Sequence, residues 1–195
     1  MIEKNITGII LAGGKSSRMG TDKGMILLNG KKFIEHIINA LSPNVNQIII
    51  IANNDNYNEL GYKVYKDLIE DSGPLGGIYT GLKLSTTEKN IVLSCDTPFI
   101  TTEFIKFIIS NSNDSEITVP VFKNNTEPLC AVYSKNITQN IYDLIVNNEL
   151  KMQNVLKKFK TKELQINSNH TMFSENLFQN INTPQELNSQ NNINL

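Results

Sequence analysis

The chain has 195 residues and sets 18 Lys and Arg against 19 Asp and Glu, a formal net charge of -1, with two cysteines. That length suits one domain with a sizeable core, the charge balance offers no basic field to a nucleic-acid backbone or an anionic membrane, and the cysteine count excludes a disulfide scaffold. No apolar run approaches the ~20 residues of a membrane helix and none opens the chain as a signal core, so the sequence predicts a cytoplasmic protein without nucleic-acid or membrane partners.

The first predicted element is a strand from Thr7 to Leu11, and the loop LAGGKSSRMGTDKG (residues 11–24) continues directly from it. Phe33, Ile34, Ile37, Ile38 and Leu41 then repeat at helical spacing. Strands follow over Gln47 to Ala52 and Tyr62 to Tyr65, and Ile78, Leu82 and Leu84 mark a second helix. Ile91 to Cys95 reads as a strand, Phe104, Ile105, Ile108 and Ile109 as a helix, Glu116 to Val121 and Pro128 to Tyr133 as strands, and Ile137, Ile141, Leu144 and Ile145 as a helix. This alternation predicts an α/β fold, a mostly parallel central sheet with helices on both faces. One domain is expected over residues 1–188, with an Asn-rich tail over 189–195 expected to fray.

The loop after the first strand carries the first chemical signal. Glycines let a backbone turn sharply and approach a ligand, and the exposed N–H groups of such a loop, joined by Lys15, Arg18 and Lys23, suit an anion. The loop lies at the carboxyl end of its strand, where open α/β sheets bind ligands. It is not a Walker A loop, because Gly20 precedes Thr21 rather than Lys, and the adjacent Gly13 and Gly14 do not fit G-x-G-x-x-G. An ordinary strand-to-helix turn would use the glycines without the cations.

Four motifs carry a family resemblance. LAGGKSSRMGTDKG, the Gly-Pro-Leu loop at Asp71-Ser72-Gly73-Pro74-Leu75-Gly76-Gly77, the segment Ser94-Cys95-Asp96-Thr97-Pro98, and Asn180-Ile181-Asn182-Thr183-Pro184 together resemble the signature of the molybdenum cofactor guanylyltransferases (MobA), within the nucleotidyltransferases. The resemblance implies a three-layer Rossmann-like nucleotidyltransferase fold. It also implies that the terminal phosphate of molybdopterin attacks the α-phosphorus of GTP, expels pyrophosphate and forms a guanine dinucleotide cofactor. Mg²⁺ would be the cofactor, GTP and Mo-molybdopterin the substrates, and acceptor molybdoenzymes or other proteins of molybdenum cofactor biosynthesis the partners.

Site residues follow on the matching positions. The resemblance places Lys23 at the α-phosphate and Arg18 with the loop backbone from Leu11 and Ala12 through Gly13 and Gly14 at the outer phosphates, as electrostatic clamps. Asp96 follows a strand too apolar to be half exposed, so its carboxylate emerges at the sheet edge, where it suits Mg²⁺ with phosphate oxygens and water; the bland alternative is a cap for the next helix. The resemblance sets an acidic residue against guanine or ribose, and Asp67 is preferred over Asp71. A carboxylate there accepts from the N1–H and N2–H₂ edge of guanine. Asn53 matches a position near the nucleotide and equally suits a turn, while Gly73 opens a helix bordering both substrates. Asn180 and Asn182 offer amides where related sugar-phosphate enzymes use a carboxylate, and Asn182 is expected on the acceptor side. Glu127 stands where several members carry His. Cys95 is expected to be buried and inert, and neither His36 nor His170 has metal-ligand spacing.

Other readings share parts of this pattern. A molybdopterin cytidylyltransferase would keep the loop and Asp96 but usually reads Ala-Gly at Gly13-Gly14. A sugar-phosphate nucleotidyltransferase and a GTP-binding regulatory module without turnover are the remaining alternatives.

Overall fold

The computed structural model describes residues 5–12, 22–183 and 185–187. Its elements are β1 (Ile6–Leu11), the hairpin strands β2 (Leu27–Leu28) and β3 (Lys31–Lys32), α1 (Phe33–Leu41), β4 (Gln47–Ile51), β5 (Lys63–Tyr65), α2 (Gly73–Leu84) and β6 (Lys89–Ser94). After these come α3 (Thr102–Ser110), β7 (Ile117–Phe122), β8 (Asn125–Thr126), β9 (Cys130–Ser134), α4 (Thr138–Val146), α5 (Met152–Leu156) and β10 (Thr161–Ile166). The main sheet runs β10-β7-β9-β6-β1-β4-β5, with β8 paired to β7.

Strand pairing follows from the apolar runs. β1, β4 and β6 are Ile- and Val-rich because both faces are covered. Ile10, Ile48, Ile50, Ile91 and Leu93 pack against Ile34, Ile37 and Leu41 of α1 and Phe104 and Ile108 of α3. The alternate residues Ile9, Leu11, Ile49, Ile51 and Val92 face Ile78 and Leu82 of α2 and Ile141 of α4. Helices therefore cover the two faces, as the alternation predicts.

The sheet is parallel through β6-β1-β4-β5 and again between β10 and β7, but β9 runs antiparallel to both β6 and β7. The short elements β8 and α5, the hairpin strands β2 and β3, and the edge strand β10 are missing from the predicted set. β10 is an edge strand of the main sheet, and its Lys162, Glu163 and Gln165 are exposed or half-exposed, so it lacks the apolar run that marks a buried strand. The β2–β3 hairpin turns through Asn29 and Gly30, with φ of 50° and 78°, in the two-residue Asn-Gly pattern that favours such turns.

Order in the sheet creates the site. β1 lies between β4 and β6, and the chain passes from β4 and β5 on one side back to β6 on the other, so β1 stands at the point where the winding reverses. Leu11 is level with both Ile51 and Ser94, and Ile51 with Tyr65. All four strands end together, and the residues that follow them share one edge.

α2 crosses β1 closely at Gly81, where an added Cβ would lie 2.6 Å from Ile9 Cγ2. Helix propensity alone favours Ala over Gly by about 1 kcal/mol, whereas overpacking a filled core costs about 1–3 kcal/mol. Gly81→Ala is expected to lower stability by about 1 kcal/mol in urea titration. A stabilised variant would mean that α2 moves freely away from β1.

Candidate active site

Three remote segments meet at the common strand edge. Lys23 Nζ, in a short 3₁₀ turn over Lys23–Met25, donates to Asp96 Oδ2 at 3.1 Å and to Asn182 Oδ1 at 2.5 Å. Ser94 Oγ, from the last residue of β6, donates to Asp96 Oδ1 at 2.6 Å. Both carboxylate oxygens thus have a donor, and the ion pair is largely shielded, with side-chain exposures of 26% and 17%.

The closing segment is fixed from beneath. Ile181 is fully buried against Ile26, Leu28 and Phe33, and its N–H reaches Asp96 O at 3.4 Å. The Asn182 N–H donates to Glu186 Oε2 at 2.7 Å, and Thr183 Oγ1 accepts from Glu186 N as the cap of a short helical turn over 185–187. Pro184 lies outside the described residues. Asn180 is exposed.

Asp96 is not a helix cap. Thr101 takes that role in α3, accepting from Phe104 N at 3.2 Å, which leaves Asp96 to Lys23 and Ser94.

Beside the cluster lies a cavity of about 470 Å³, within the size range of small-molecule sites. Leu11, Asn53, Asp67, Asp71, Gly73 and Ser94 are among its lining residues. Asn53 and Asp67 bond reciprocally, Asn53 Nδ2 to Asp67 Oδ2 at 2.9 Å and Asp67 N to Asn53 Oδ1 at 3.0 Å. Leu68 N donates to Thr80 Oγ1 at 2.9 Å, which ties this loop to α2. Asp67 Oδ1 is the single buried side-chain oxygen or nitrogen among the described residues without a partner, and burial raises the Asp67 pKa above its ordinary value. An orphaned acceptor beside a cavity is suited to a donor from a ligand. Asp71 reaches the same cavity but is exposed, with a left-handed φ of 55°.

Gly77 keeps this wall thin. A Cβ there would lie 2.9 Å from Leu11 Cδ2 and 3.5 Å from Asp67 Oδ1. Gly73 begins α2 with φ of 56°, and its Cβ position meets nothing within 4 Å. Ala12 is buried, and its N–H is bound to Ile51 O at 2.8 Å. Gly13, Gly14, Lys15 and Arg18 lie outside the described residues.

Two residues not singled out in the sequence join the site's frame. Asp22 accepts from Gly24 N at 3.2 Å, from Asn54 Nδ2 at 2.8 Å, and from the hydroxyl of the fully buried Tyr57. The run Asn53 to Asn56 carries the signal of a turn but not of a grip on residue 22. Cys95 and Cys130 are buried free thiols, and burial pushes Cys130 up to about 12 and Cys95 higher still, so neither serves as a nucleophile.

The MobA-like NTP transferase domain model matches residues 8–164. The chain is 45% identical over 194 residues to the probable molybdenum cofactor guanylyltransferase of Flavobacterium johnsoniae, covering 98% of this chain and 99% of the relative. It is 36% identical to the molybdenum cofactor guanylyltransferase of Vibrio parahaemolyticus, covering 92% and 91%. In fold it is similar to molybdopterin-guanine dinucleotide biosynthesis protein A from Archaeoglobus fulgidus, with a TM-score of 0.81 at 23% identity over 96% of this chain and 97% of that one.

Glu127 sits on the turn into β9, its carbonyl accepting from Cys130 N at 3.0 Å, and burial raises its carboxyl to about 7 from 4.5. Between those values the native state binds more protons than the unfolded chain, so stability falls as pH rises through that window. Glu127→Gln removes the effect. Its melting temperature should exceed that of the parent by a few degrees at pH 8, with the difference closing as pH falls to 4.5. A constant difference at all pH values would show that Glu127 titrates normally.

Proposed function

The chain belongs to the MobA-like NTP transferase family, and we propose that it transfers the guanylyl group of GTP to the terminal phosphate of molybdopterin, releasing pyrophosphate and forming a guanine dinucleotide cofactor. The printed activities of the relatives at 45% and 36% identity support this reading. The observation that carries it is the convergence of Lys23, Asp96 and Asn182 beside the cavity that Asp67 lines.

The chemistry needs no protein base. A phosphomonoester with a second pKa of about 6 is mostly dianionic at neutral pH, so the protein has to align it and offset the crowded negative charge. Lys23 is the cation for the α-phosphate, where charge changes as pyrophosphate leaves. The Asp67 carboxylate, oriented by Asn53, accepts the N1–H and N2–H₂ edge of guanine. The α2 N-terminus at Gly73 borders the same cavity and favours an anion.

Asp96 and Asn182 would hold Mg²⁺. Their oxygens already gather around the Lys23 ammonium, a stand-in cation, and one carboxylate with neutral oxygens suits an ion completed by phosphates and water. When bound, Mg²⁺ supplies further neutralisation of the phosphate charge. Without nucleotide, Lys23 competes for the same carboxylate, so Mn²⁺ titrated by electron paramagnetic resonance should bind at least ~10-fold more tightly with GTP present. That gain should vanish in Asp96→Asn. Equal Mn²⁺ affinity in parent and Asp96→Asn would remove Asp96 from the metal site.

Pyrophosphate release measured with each of the four nucleoside triphosphates, with and without molybdopterin, tests the reaction. GTP with molybdopterin should be the productive pair, and Asp67→Asn should lower kcat/KM for GTP by about 30-fold or more, as an amide cannot accept both donors. A preference for CTP, or turnover on sugar phosphates alone, would overturn the guanylyl assignment.

A further inference from the structure

We propose that Tyr57 and Asp22 are positioning residues for transfer, holding the turn that presents Lys23. The inference rests on the role proposed for Lys23, but its observations are separate. Asp22 is one peptide bond from Lys23, and its carboxylate is bound from both sides. Oδ1 accepts the Tyr57 hydroxyl and Gly24 N, and Oδ2 accepts Asn54 Nδ2 at 2.8 Å and Asn56 Nδ2 at 3.3 Å. Four donors on two oxygens fix the carboxylate in its plane, and the Gly24 bond caps the 3₁₀ turn that begins at Lys23.

Tyr57 is the rigid side of this joint. Its ring is fully buried among core residues that include Ala12, Ala52 and Cys95, so the hydroxyl has little freedom to follow a moving partner. Gly24 packs on its tip, where an added Cβ would lie 2.5 Å from the Tyr57 oxygen. Only glycine lets the turn come so near. Burial above all, reinforced by Cys95 and Asp22, raises the phenol far above its ordinary pKa, so it remains a donor at working pH.

The grip does something that a fold contact alone would not. A lysine has four rotatable side-chain bonds, so aiming its ammonium at a reacting phosphate requires a fixed backbone origin. Asp22 directly precedes Lys23 and caps its 3₁₀ turn, so the Asp22 carboxylate fixes the backbone from which the lysine side chain starts. The fastening residues come from the loop after β4, which also supplies Asn53 to the cavity. One loop thus holds both the Asp67 carboxylate and the Lys23 turn.

Tyr57→Phe removes one hydroxyl and leaves the ring. The expected result is a kcat for guanylyl transfer from GTP to molybdopterin lowered about 10-fold, with KM for GTP within twofold and an unchanged far-ultraviolet circular dichroism spectrum. Asp22→Asn, which weakens the joint from its other side, should act in the same direction. The deciding measurement is a double-mutant cycle with Lys23→Ala: when lysine is absent, Tyr57→Phe should change kcat less than twofold. Equal losses in both backgrounds, or a parent-like kcat in Tyr57→Phe beside a crippled Lys23→Ala, would overturn the positioning role and leave Lys23 in place. A parent-like kcat in Lys23→Ala itself would overturn the role of Lys23, and this inference with it.

Discussion

The site depends on one constraint, the common register at which β1, β4, β5 and β6 end. Leu11, Ile51, Tyr65 and Ser94 stand level across four parallel strands. Each chain then leaves the sheet at the same height. Asn53, Asp67 and Asp96 each follow their strand's last residue by two positions. Their polar side chains are grouped because the apolar runs before them are aligned, and a one-residue slip in any strand would exchange its two faces. The alternating Ile residues, packed against helices on both sides, make such a slip costly.

On that edge, the polar groups are held by segments distant in sequence. Lys23 bridges Asp96, 73 residues away, and Asn182, 159 residues away. The small apolar cluster of Ile26, Leu28, Phe33 and Ile181 brings the closing segment to the turn that carries Lys23. Apolar burial supplies the attraction, and the polar contacts supply direction. The same division holds at Tyr57, whose buried ring is an anchor and whose hydroxyl aims Asp22.

Much of this was legible in the sequence because buried parallel strands write themselves as Ile and Val runs. β1, β4 and β6 and the faces of α1, α3 and α4 stand where those runs predict. β10 was not legible, since an edge strand exposes Lys162 and Glu163 and so loses its apolar signature. Motif residues placed Lys23, Asp96 and Asn182 in one region, but not who bonds to whom. Asp67 and Asp71 are equivalent in type and four residues apart; only the fold buries an oxygen of the first and leaves the second exposed. Tyr57 carried no signal at all. A tyrosine after three asparagines and an aspartate reads as loop, and its burial and its hydrogen bond are products of tertiary packing.

The asparagine at 182 bears on how the proposed reaction is balanced electrically. A second carboxylate there would make the donor set strong enough to hold a divalent cation before nucleotide arrives, and it would pair more tightly with Lys23. Asn182 gives the ammonium an oxygen to rest on without a second negative charge, so Lys23 faces one carboxylate rather than two. Triphosphate brings several negative charges into the same space and can draw the ammonium from a single partner more readily than from a pair. In the proposed reaction, the neutral amide therefore keeps Lys23 ordered in the resting protein yet available to phosphate. Replacing that amide with a carboxylate would strengthen the resting contact at the expense of the reacting one, because only interactions that are stronger in the transition state accelerate transfer.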